Sequence, residues 1–133
     1  MFEINIVTPN RKILAGQELE ELFVPAHKGE LNILPGHSPL VSTLSEGVLS
    51  YQLKDGKKEA FAISWGYVEV TPNGVNVLAE TAEAKDEIDL ERSKLALKKA
   101  DESLNKPDIT PEDIEKYHRK RKRAEARIQL ASS

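Results

Sequence analysis

Five consecutive cations, Arg119, Lys120, Arg121, Lys122 and Arg123, are the densest chemistry in this 133-residue chain. Clustered lysine and arginine can meet carboxylates on an acidic protein or phosphates on a nucleic acid. Aromatic interleaving is confined to Tyr117, and the chain as a whole carries a net charge of −3, so nucleic acid is the weaker of the two. On a helix, five successive residues cover every face, so plain solvation also accommodates the run. The second concentration is 29–40, GELNILPGHSPL, with two prolines, two glycines and a histidine among aliphatics. It reads either as a packed crossover between strands or as a stiff docking loop. Other chemistry is missing. His27, His37 and His118 show no metal-ligand spacing, and there is no cysteine. Neither a Gly-x-Ser-x-Gly elbow nor a Gly-Lys-Ser/Thr phosphate loop occurs. Most acidic residues suit solvated faces and helix first turns. No metal site and no catalysis by this chain alone are expected.

The elements that must position these groups fall into two parts. Phe2, Ile4 and Ile6 alternate with polar residues, as do Leu49, Tyr51 and Leu53, then Val68 and Val70, then Val75 and Val77, while Phe61, Ile63 and Trp65 alternate with the small residues Ala62 and Ser64. Period two with Asp55-Gly56 and Asn73-Gly74 turns predicts an antiparallel β-sandwich over residues 1–84. From Asp86 the period becomes helical: Leu90, Leu97 and Leu104 form a stripe with Ser93 and Ala100, and Asp86 is the expected N-cap. Pro107 ends that helix. A second starts with Thr110 as cap and Pro111 at its first position, and carries a stripe of Ile114, Tyr117, Ala124 and Ile128 interrupted by Arg121. The expected architecture is therefore α+β, a sandwich followed by an antiparallel two-helix hairpin over 88–133. Stripes this poor in large aliphatics hold helices weakly, which predicts an arm able to change position. Charge divides likewise. Residues 1–87 hold 7 Lys/Arg and 13 Asp/Glu, net −6; residues 88–133 hold 12 and 9, net +3. The first ten residues do not read as a signal peptide, and no run is apolar enough to span a bilayer.

The run Gly29-Glu30-Leu31-Asn32-Ile33-Leu34-Pro35-Gly36-His37-Ser38-Pro39-Leu40 resembles a segment of the epsilon subunit of bacterial-type F1Fo ATP synthases. Asn32 stands where that family usually has glycine. The stretch AISWGYVEVTPNGVNVLAETAE is similar to a later family segment, with Trp65 where glycine is common. The resemblance extends over essentially the whole chain and weakens after residue 93.

The resemblance implies a non-catalytic subunit of the rotating central stalk, coupling proton flow to ATP synthesis. Its partners would be the gamma subunit, the c-ring and, through the helices, the alpha and beta catalytic subunits. It would sit peripherally on the cytoplasmic face of the bacterial plasma membrane. Loop 29–40 would face gamma or the c-ring. Leu31, Ile33 and Leu34 would offer apolar contact there, and Glu30 and His37 polar contact; Pro35 and Pro39 pre-order the backbone for docking. The cluster 119–123 would meet acidic beta segments when the helices extend, and so inhibit hydrolysis. No cofactor is required, but ATP is implied as a regulatory ligand. The matching positions are Glu83, Ile88, Asp89, Arg92, Lys99, Arg123 and Arg127; Ser93 replaces an alanine of that motif, and Lys99 an arginine. The rival reading is a free-standing sandwich adaptor whose basic hairpin binds an acidic protein or nucleic acid.

Overall fold

Alternating β-branched and aliphatic residues can bury one face only by finding a second layer, and the chain does so by bending one long strand. The computed structural model describes residues 2–133. Its strands are β1 (Phe2–Val7), β2 (Lys12–Ala26), β3 (Gly29–Ile33), β4 (Leu40–Leu44), β5 (Gly47–Leu53), β6 (Lys58–Ile63), β7 (Gly66–Thr71), β8 (Gly74–Ala79) and β9 (Ala82–Ala84). The helices are α1 (Leu90–Leu104) and α2 (Pro111–Ala131), reached through a single 3-10 turn, Lys85–Glu87. The strands follow the order β1-β8-β7-β4-β2-β5-β6-β9, with β3 on β2 and β1 closing onto β2. β1 and β8 run parallel; the other ladders among the described residues are antiparallel.

β2 serves both layers. Its first half pairs with β1, and from Leu19 onward it pairs with β5 and β3. A bulge beside Asn5 bends the first half, with Gly16 at φ +65° and its N–H donating to Asn5 Oδ1 at 2.8 Å. The core between the layers holds the inward residues of the sequence pattern, Ile4, Ile6, Leu49, Val68, Val75 and Val77 among them. Tyr51 is buried there too. Its hydroxyl donates to Glu59, and burial first, then Glu59, push its pKa up.

Two strand expectations are corrected. β6 stops at Ile63, so Trp65 is not a strand residue but lies half-exposed in the following turn. Ser64 takes the buried place instead, its Oγ accepting from the Thr81 N–H at 2.9 Å. The residue after Trp65 must be glycine: a Cβ on Gly66 would sit 1.8 Å from the Leu78 carbonyl oxygen. The segment 29–40 is also only half a loop. Gly29–Ile33 is strand, with Leu31 opposite Val24 and Ile33 opposite Leu22.

The hairpin starts later than expected. Asp86 falls in the 3-10 turn, and the cap of α1 is Asp89, whose carboxylate accepts from the Arg92 N–H at 3.1 Å. The start of α2 agrees with the sequence: Thr110 Oγ1 accepts from the Asp113 N–H at 3.2 Å, and Pro111 is the first helical residue. α2 lies on β5 and β6, and α1 packs on α2. Between the helices the buried residues are small, Ser93, Ala100 and Ala124. Leu90, Leu97 and Leu104 are half-buried, and Ile114 is exposed rather than part of the seam. Arg121 does not break the stripe; its Nε lies 3.3 Å from Asp101 of α1 and 2.9 Å from Glu125. Against the sandwich, α2 buries Ala126 and Leu130 on Ala62, with Val48, Ala60 and Ile88 at the margin. Both seams bury little apolar area, as the composition of the stripes led us to expect.

Candidate functional site

A strongly cationic concavity lies between α1 and α2. Ala96, Ala100 and Ser103 of α1 face Ala124 of α2, and side chains this short leave a groove of ≈ 520 Å³. Such a volume falls in the range of small-molecule sites. Its rim carries Lys99, Lys106, Lys120, Arg123 and Arg127 against a single acid, Glu102. Arg123 Nε is buried without a hydrogen-bond partner. A buried donor left unpaired is costly, and a groove ligand could reach this nitrogen only if the side chain turned. Arg127 is already engaged, with Nε and Nη2 each 2.7 Å from Glu83 Oε1.

Of the seven positions assigned to a nucleotide, three line the groove, Lys99, Arg123 and Arg127, and Glu83 joins through Arg127. Asp89 is spent on the helix cap, and Arg92 is exposed. Arg92 stands one turn before Ala96 on the same stripe, roughly 6 Å along the axis beyond the groove. Ile88 packs instead at the seam between hairpin and sandwich. Sequence reasoning missed Lys106, Lys120 and Tyr117. The spacing of Tyr117, Lys120, Ala124 and Arg127 was the available signal, since it places all four on one face.

The run 119–123 is distributed around α2. Arg119 turns to the sandwich, Lys120 and Arg123 to the groove, and Arg121 to α1. Lys122 is exposed. Lys120 Nζ also sits 5.4 Å from the Tyr117 ring centre.

At the far end of the sandwich, loop 34–39 lies beside the β7–β8 turn, around a hollow shared with Phe2. Gly36 has φ +82°, which a side chain would strain. His37 Nδ1 is 2.8 Å from the Ser38 carbonyl oxygen, a contact that requires the proton on Nδ1. Ile33, expected to offer apolar contact, is 1% exposed and belongs to the core; Leu31 is half-buried against it. The pleat sends both inward once Gly29–Ile33 pairs with β2. Leu34, at 48% exposure, is the apolar side chain of that set left on the surface, with Glu30 and His37 as polar neighbours.

Between the two parts, Glu87 ties the junction. Its carboxylate accepts from the Ala84 N–H at 3.0 Å and from Arg11 Nη2 at 3.1 Å. The backbone bond first, then the guanidinium, hold its pKa below the usual glutamate value.

The family described as "ATP synthase, Delta/Epsilon chain, beta-sandwich domain" matches residues 1–85. The chain is 47% identical over 130 residues to the ATP synthase epsilon chain of Bdellovibrio bacteriovorus, covering 97% of this chain and 93% of that one. It is 42% identical over 132 residues to the ATP synthase epsilon chain of Geotalea uraniireducens, covering 98% and 93%. A chain of the Euglena gracilis mitochondrial ATP synthase, in an OSCP/F1/c-ring structure, has the same fold, with TM-score 0.87 at 23% identity over 99% of this chain and 81% of that chain. A chain from the central stalk and c-ring of the Tetrahymena thermophila enzyme superposes with TM-score 0.61 at 15% identity, covering 98% and 93%.

The junction carries a pH signature. Because the folded-state pKa of Glu87 lies below its unfolded value near 4.5, its contribution is present above that pH and fades as pH falls through the folded value. Glu87→Gln should therefore lower the unfolding temperature at neutral pH, and the difference should close in strong acid. A gap that stays constant across an acid titration by circular dichroism would refute the assignment.

Proposed function

The chain belongs to the ATP synthase delta/epsilon family, and on that premise we propose that it serves as the epsilon subunit of the central stalk. In this reading it has no catalysis of its own. The sandwich binds the gamma subunit and places loop 34–39 against the c-ring, and the hairpin is a movable arm that acts on the alpha and beta subunits. The subunit is peripheral, held at the cytoplasmic face of the bacterial plasma membrane by its complex. Consistent with that, no helix of the described residues is long and apolar enough to cross a bilayer.

The observation that carries the arm's regulation is the groove, with five cations against one acid between two helices that bury little else. A polyphosphate such as ATP supplies the acceptors this set lacks. Lys99, Arg123 and Arg127 would hold its phosphates, with Lys106 and Lys120 adding charge toward the hairpin tip. Lys99 is a point charge and cannot fork, so the two arginines carry the geometry. A ligand held by both helices stabilises the folded hairpin by mass action, at the expense of any extended arm. Extended, the run 119–123 would present its cations to acidic surfaces of the catalytic subunits and oppose hydrolysis. The adaptor alternative loses its support once family membership is established; its acidic partner survives as the beta subunit.

Three measurements test this. ATP hydrolysis by the reconstituted complex should rise when residues 88–133 are removed; equal rates would refute the inhibitory arm. Calorimetry on the isolated chain should detect ATP binding, weakened about tenfold or more by Arg123→Ala. An absence of heat at about 1 mM ATP would remove the nucleotide from the account. Changing Leu34 and His37 together to Asp should weaken the coupling of hydrolysis to proton pumping while leaving the sandwich folded, because neither side chain is in the core. Undiminished pumping by that variant would count against the c-ring contact.

A further inference from the structure

Arg119 is gripped by three turns at the end of the sandwich remote from loop 34–39. Its Nε–H donates to Glu46 Oε1 at 3.1 Å. Its Nη2 lies 4.0 Å from Glu80 Oε2, and its guanidinium carbon is 5.7 Å from the Trp65 ring centre. Glu46 belongs to the β4–β5 turn, Trp65 to the β6–β7 turn and Glu80 to the β8–β9 turn. The burial is unequal. Glu46 stands in a surface turn, yet its side chain is only 4% exposed, whereas Arg119 is 45% exposed. A carboxylate so covered needs its cation, because the charge has little water to fall back on. Trp65 adds a π-face, the best aromatic partner for a guanidinium, at a turn where its bulk would otherwise stand in water.

We propose that Glu46, Trp65 and Glu80 form a latch that holds the arm down by gripping Arg119, and that this latch competes with the catalytic subunits for the same guanidinium. The second half rests on the inhibitory reading above; the first half does not. When α2 lifts, Arg119 leaves and Glu46 regains water, so the latch opens without stranding a buried charge. When α2 is down, the basic run has lost one of its five cations to the sandwich. Removing Arg119 alone is worse than opening the latch, because the arm then covers an unpaired carboxylate. The grip acts at the hairpin-tip half of α2, while Ala126, Leu130 and the Arg127–Glu83 pair hold its C-terminal half. Two separated attachments fix the angle of the arm, where one would leave a pivot.

The test uses the full chain and amide hydrogen exchange resolved along α2. Glu46→Lys and Arg119→Glu should each speed exchange in the first half of α2 about tenfold, and the double swap should return it to within about threefold of the original. Trp65→Gly should give a smaller rise. Exchange in β7 and β8 serves as the fold control, and Glu46→Gln, which keeps the shape of the side chain and so the turn, should also speed exchange in the first half of α2. Unchanged exchange in Glu46→Gln and Arg119→Glu, or a double swap no slower than its faster single variant, overturns the latch. In the reconstituted complex Glu46→Gln should deepen inhibition of hydrolysis. Faster exchange with unaltered hydrolysis would leave the latch standing and overturn the inhibitory reading instead.

Discussion

The shortness of the side chains along α2 governs most of what this molecule can do. Ala124 toward α1, and Ala126 toward the sandwich, let the elements approach closely but bury little apolar area. A Leu or Phe at those positions would contribute about 2 kcal/mol each by burial and weld the hairpin in place. With alanine there, attachment falls to Leu130 and to ion pairs, which water and salt can exchange. The same economy opens the cationic groove, because alanine and serine leave space that larger residues would fill. An open groove and a lightly packed hairpin are thus two results of one composition.

The sandwich obeys the opposite rule. Its core is built mostly of branched aliphatics, and its tightest glycine, Gly66 under the Leu78 carbonyl, admits no side chain at all. Large apolar side chains are concentrated in the sandwich, and small ones under the hairpin.

Much of this was legible in the sequence. Alternation located the inward faces of β1, β5, β7 and β8, and Thr110-Pro111 marked the start of α2, because those signals act within a few residues. What escaped depends on pairing between distant segments. Ile33 and Leu31 look like surface aliphatics beside two prolines until β3 is seen to pair with β2. Asp86 and Asp89 are equivalent as caps by residue type; Arg11, which reaches across to Glu87, helps to settle the first into a 3-10 turn. Lys106 and Lys120 belong to one groove only because the two helices fold back on each other. The role of Glu46 has no local signature whatever, since its partner lies 73 residues away.

β2 has a mechanical consequence. It turns from one layer to the other beside Leu19, whose ladder partner Phe2 borders the hollow at loop 34–39. The layers are therefore joined by covalent backbone at the end where the loop protrudes. A sideways push on that loop cannot slide one sheet over the other without straightening the corner, which would break ladder bonds on both sides at once. The sandwich transmits such a load as one stiff body. Compliance is left to the lightly packed seam under α2 and to the junction after Ala84, a single 3-10 turn and a helix cap, so a load on the loop is taken up there and not within the sheets.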